Sequence, residues 1–112
     1  GGFLTGKYER GAEPDAGTRL GSRGGQYASN LLTDRNFDIV DVVREVAGEL
    51  GSTPTAVSLA WVLSRRGVTS VIVGPRNLAQ MEENLPGVEL ALPDEAITRL
   101  NEASRPPAYG RR

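Results

Sequence analysis

Apolar and polar positions follow different rhythms along this chain, and each rhythm predicts a different element. From Asp34 to Leu50 the apolar residues Ile39, Val42, Val43, Val46, Ala47 and Leu50 recur at helical spacing and Gly51 supplies a stop, which predicts an amphipathic helix. Thr53 then stands as an N-cap before Pro54, and "TAVSLAWVLSRR" runs on to Gly67. A capping hydroxyl, a first-turn proline and Arg65 and Arg66 in the last turn predict a second helix. Its apolar residues Val57, Leu59, Ala60, Trp61 and Leu63 cover a wide arc, so it is expected to be the more buried of the two, with Trp61 in the core. The stretch "VTSVIVG", residues 68–74, is β-branched and continuously apolar at Val71, Ile72 and Val73, as expected of a central parallel strand buried on both faces. A short helix from Asn77 to about Asn84 follows, and a last helix from Asp94 to about Ala103 turns Ile97 and Leu100 inward.

The flanks have no such rhythm. Residues 1–36 are crowded with glycine and read as one long loop in which only "FLTGKY" holds a helical turn. Structureless loops beyond about 12–15 residues are uncommon in compact domains and tend to be functional or disordered. The ending, residues 104–112, is a Pro-rich tail. One strand among four helical segments cannot close a sheet, so the chain is expected to be the end of a larger α/β protein whose other strands come from elsewhere. A start at glycine rather than methionine points the same way, to a fragment, a processed product or a partial gene model. Alone, such a piece is expected to expose apolar surface.

Composition narrows the chemistry. With 112 residues, 38% of them hydrophobic, there is room for one modest core. Thirteen basic and 14 acidic residues give a net charge of −1, which offers nothing to steer nucleic acid or an anionic membrane. No apolar run approaches the ~20 residues of a membrane helix, and the expected location is the cytoplasm. The chain has no cysteine, which excludes disulfides and thiolate chemistry, and no histidine, which removes the commonest general base and metal ligand. No metal site is expected. Lys7 is the single lysine beside twelve arginines.

One stretch carries candidate ligand chemistry. In "VIVGPRNLAQMEENL", residues 71–85, the strand is followed by a loop at the place where α/β folds bind ligands. Gly74 can adopt angles closed to other residues and admits a ligand close to the main chain. The amides after Arg76 would open toward solvent, and the guanidinium adds a fork suited to phosphate. Gln80, Glu83 and Asn84 fall at i, i+3 and i+4 on one helix face, where they can read a base or a ribose. The same residues also fit a plain structural role: Asn77 with Gln80 forms a capping box, Asn84 ends the helix, and Glu83 is solvated surface. Spacing leaves both open.

Several blocks taken in order resemble the C-terminal part of an aldo/keto reductase: "GGFLTGKY", "GTRL", the run from "FDIVDVVREVAGELG" to "VIVGPRNLAQMEENL", and "LPDEAITRLNEAS". They are most similar to the bacterial branch that also resembles potassium-channel β-subunits, whose eighth strand precedes a segment of the kind Gly74, Asn77, Gln80, Asn84. The resemblance implies a (β/α)8 TIM barrel, of which this chain would be the piece from the end of strand 7 through strand 8 and the terminal helices. It implies NADP(H) as cofactor and a small aldehyde or ketone as substrate. Residues 1–36 would then hold the loop covering the cofactor, with Gly1, Gly2, Lys7 and Arg19 at its phosphates. Gly74, Arg76, Gln80, Glu83 and Asn84 would meet the adenosine end, with Arg76 near the 2′-phosphate. The family's catalytic Asp, Tyr, Lys and His lie on earlier strands and map to nothing here, so Lys7, Tyr8, Tyr27 and Tyr109 take no such role. Pro93 stands where the family has a Ser or Thr cap, which leaves the last helix's start uncertain by a residue or two. Two rivals remain: a nucleotide-binding regulatory subunit of the channel β-subunit kind, and a stand-alone piece without function.

Overall fold

The computed structural model describes residues 1–107, so most of the Pro-rich tail, with Tyr109, lies outside the described residues. Among the described residues seven helices follow a 3-10 turn at Phe3–Thr5. They are α1 (Arg19–Arg23), α2 (Gly25–Leu31), α3 (Asp34–Glu49), α4 (Pro54–Ser64), α5 (Leu78–Asn84), α6 (Pro86–Glu89) and α7 (Asp94–Ala103).

The two long helices form where the apolar rhythm places them, each opened by a threonine cap. Thr33 Oγ1 accepts from the Asn36 amide and Thr53 Oγ1 from the Ala56 amide, both satisfying orphan donors of the first turn. α3, α4 and α7 enclose the main core of Val43, Val46, Ala47, Val57, Trp61, Ala96 and Leu100. Ile97, expected inward, is half-buried, and Ala96 takes the inner position beside Leu100. Trp61 is in the core as expected, and its indole N–H donates to Asn101 Oδ1 at 2.9 Å, so its polar edge is satisfied. α4 stops three residues before Gly67: Arg65 is extended, and its guanidinium reaches Asn101 instead of the last carbonyls. α7 begins at Asp94 without a side-chain cap, because Pro93 has no hydroxyl to offer.

One expectation is corrected. Residues 1–36 are not one loop. Thr18 caps α1 by accepting from the Gly21 amide, and α1 and α2 bury Leu20 and Ala28 against Tyr8 and Phe37 in a second small core. Gly21 is required there, since a Cβ would collide with the Asp15 carbonyl. Glycines that read as loop composition are what allow these short helices to pack. Residues 68–74, expected to be a strand whose neighbours come from elsewhere, stand without a partner here. Among the described residues there is no strand: this stretch is unpaired, Val71 is half-buried, and Ile72 is 97% exposed. A parallel strand needs neighbours for its ladder, and no other described segment supplies one. The described part is therefore helical, not an α/β sheet. α6, within "LPGVELALP", is a further helix the pattern missed. Gly87 lets it lie on α4, where a Cβ would come within 2.8 Å of Leu59 Cβ.

The unpaired stretch continues into an apolar surface. Ile72, Val73, Leu78, Met81, Leu85 and Val88 are all exposed, a contiguous set of apolar side chains without cover among the described residues.

Candidate functional site

Two arms of the chain meet around a cleft of about 890 Å³. One arm is residues 1–7 with 17–19, and the other is residues 72–84; α4 forms the floor with Thr55, Ser58, Leu59 and Val62. All nine residues singled out from the sequence line this space: Gly1, Gly2, Lys7, Arg19, Gly74, Arg76, Gln80, Glu83 and Asn84. The remaining parts of residues 1–36 lie elsewhere, with Tyr8 and α2 in the second core.

The first arm is held by buried polar contacts. Tyr8, 4% exposed, donates its hydroxyl to the Gly1 carbonyl at 3.2 Å and accepts from the Leu20 amide at 3.3 Å. One phenol thus sets Arg19 beside the first residues. Ser58 donates to the Leu4 carbonyl at 3.0 Å, and Arg44 to those of Gly6 and Tyr8, which ties the arm to α4 and α3. Gly2 has φ 74°, and a Cβ there would fall 2.6 Å from Lys7 Cε. The glycine is what lets the lysine stem lie against the main chain.

The second arm departs from the expected capping box by one residue. Asn77 Oδ1 accepts from the Gln80 amide at 2.9 Å, but the Gln80 side chain accepts from the Arg76 amide, not that of Asn77, at 2.8 Å. Gln80 therefore braces the turn, and one amide expected to be open to an anion is already occupied. α5 has only seven residues, so its dipole adds little and the Arg76 guanidinium is the stronger anion group. Arg76 Nη1 donates to the Gly17 carbonyl at 3.1 Å, joining the two arms. A guanidinium carries five N–H donors, so most remain for a ligand. Gly74 differs from the expectation as well. Its φ is not positive and a Cβ would touch nothing within 4 Å, so the chain's own geometry does not demand a glycine there. Asn84 is half-buried at the end of α5, and Glu83 accepts from the Thr55 hydroxyl at 3.0 Å.

Lys7, Arg19 and Arg76 face the cleft with Glu83 as the one lining carboxylate. Among the described residues none of the three cations forms an ion pair. Among the described residues the cleft thus gathers three cations and one carboxylate, an arrangement suited to a phosphorylated ligand with a hydrogen-bond donor elsewhere. Among the described residues no cluster of acidic side chains is arranged to hold a metal ion, and no helix is long and apolar enough to cross a membrane. Sequence reasoning missed Thr55 and Ser58. The available signal was two hydroxyls at i and i+3 on an otherwise apolar helix.

Comparison with known proteins agrees with the order of blocks read above. The sequence pattern of the aldo/keto reductase family matches residues 1–105. L-glyceraldehyde 3-phosphate reductase of Escherichia coli O157:H7 is 30% identical over 103 residues, covering 90% of this chain and 30% of that protein. The uncharacterized oxidoreductase YrpG of Bacillus subtilis (strain 168) is 32% identical, covering 91% of this chain and 28% of that protein. A probable voltage-gated potassium channel subunit beta of Arabidopsis thaliana is 34% identical, covering 80% and 27%. The chain spans about three tenths of the length of these relatives.

Proposed function

Because the chain belongs to the aldo/keto reductase family, an oxidoreductase family whose fold is a TIM barrel, we propose that it is the C-terminal, NADP(H)-holding part of such a reductase. The observation that carries the reading is the convergence of Lys7, Arg19 and Arg76 on one cleft with no ion pair among the described residues. Cations left without an ion pair on a shared concave surface keep their N–H donors for an anion such as a phosphate. In this reading Gly1, Gly2, Lys7 and Arg19 hold the dinucleotide's linking phosphates, and Arg76 holds the 2′-phosphate. Gln80 braces the Arg76 turn, while Glu83 and Asn84 take the adenosine, with Gly74 leaving room for it. The cofactor would supply a hydride for a small aldehyde or ketone, and this chain's residues would bind and orient it.

By the same reading the residues that handle the carbonyl proton belong to other strands of the barrel, and Lys7, Tyr8 and Tyr27 stay out of the chemistry. The unpaired 68–74 stretch would be its eighth strand, and the exposed apolar face around it would be covered by the rest of the barrel. Cytoplasmic location is part of the proposal. The test is oxidation of NADPH by simple aldehydes with the full-length protein. Turnover that depends on both NADPH and aldehyde supports the reductase. Tight NADPH binding without turnover supports instead a regulatory subunit, a reading favoured by the similarity to a channel β-subunit. Absence of binding would leave neither.

A further inference from the structure

Among the described residues Glu83 is the one carboxylate lining the cleft, on an exposed face of α5 where a free glutamate samples many rotamers and loses that freedom on binding. Thr55 limits the sampling. Its hydroxyl donates to Glu83 Oε1 at 3.0 Å, and Thr55 itself is 4% exposed. The donor is rigid for three reasons: it is β-branched, it follows Pro54, and Thr53 caps its turn through the Ala56 amide. A hydroxyl has one proton to give, so the bond pins one oxygen and leaves Oε2 with its lone pairs for a ligand. A carboxylate held in this way repels phosphate and accepts from N–H, which divides the cleft between an anion end and a donor-reading end.

We infer that Thr55 is a positioning residue that holds Glu83 to accept a hydrogen bond from the exocyclic amino group of an adenine, a role that rests on the proposed NADP(H) reading. Full-length wild type, T55V, T55S and T55A are titrated with NADPH and with its hypoxanthine analogue, which carries a carbonyl in place of that amino group. Melting temperatures report folding. Loss of one hydrogen bond is expected to weaken NADPH by roughly three- to tenfold in T55V and T55A. T55S should bind NADPH like wild type, and the analogue's affinity should be equal in all four. In an E83A background T55V should add nothing. Equal loss for both dinucleotides, a T55S that behaves like T55V, or an additive effect on E83A overturns the assignment while the proposed function stands. If wild type binds neither dinucleotide, both fall.

Discussion

Three basic residues on the α3 side, Arg10, Arg44 and Arg99, and three that line the cleft, Lys7, Arg19 and Arg76, are treated in opposite ways. On the α3 side Arg10 meets Asp34, Asp38 and Asp41, Arg44 meets Glu9 and Asp41, and Arg99 meets Glu45 and Glu49. Arg10 and Arg99 are held above their ordinary values, chiefly by hydrogen bonds to Asp38 and Glu49. On the cleft side Lys7 lies over the Tyr8 ring and Arg76 touches a carbonyl, but among the described residues no carboxylate pairs with either. Charge on the α3 side fastens α7 and the first arm to the scaffold. Charge on the cleft side is left for something else to neutralise, and that difference separates scaffold from site more sharply than residue type does.

Substitutions that confuse the two sides would break this division. Leu100→Ala, at a fully buried position, is expected to cost about 2–5 kcal/mol in chemical denaturation, with NADPH affinity unchanged wherever the variant is folded. Arg76→Ala should remove about 1.5–3 kcal/mol from NADPH binding while leaving the melting temperature and most NADH affinity in place. Equal losses for the two cofactors would contradict its place at the 2′-phosphate. Gly2→Ala joins the sides: a positive φ costs about 1–2 kcal/mol for an L-residue, and Lys7 must also move. Lower thermal stability and weaker NADPH binding should appear together in it. The smallest effect belongs to Arg10→Gln, a slight drop in melting temperature that high salt erases, because its partners are exposed and screened. Weaker NADPH binding in Arg10→Gln comparable to that of Arg76→Ala would undo the contrast.

Long elements were legible in the sequence because their signals are local. A threonine cap, a 3.6-residue rhythm and a stop lie within a few residues of each other for α3 and α4. α1 and α2 were not legible, since five and seven residues with glycines at 21, 24 and 25 have no measurable rhythm. Their stability comes from Tyr8 and Phe37, distant in sequence. The 68–74 pattern described residues suited to burial, but burial needs partners the described chain does not offer. In the site, Arg76 and the i, i+3, i+4 face were readable from spacing. That Gln80 turns to the Arg76 amide was not, because the two arrangements differ by one residue. The role of Thr55 was not readable either, since hydroxyls at i and i+3 on an apolar helix have no assigned meaning until the partner on α5, Glu83, is known.

The central claim is that the cleft grips a 2′-phosphorylated adenosine. Calorimetric titration of the full-length protein with adenosine 2′,5′-bisphosphate and with adenosine 5′-monophosphate tests it without any demand for turnover. The bisphosphate should bind roughly ten- to a hundredfold tighter, as one charge-assisted fork requires, and Arg76→Ala should abolish the difference. Equal affinity for the two nucleotides in the wild-type protein would contradict the account.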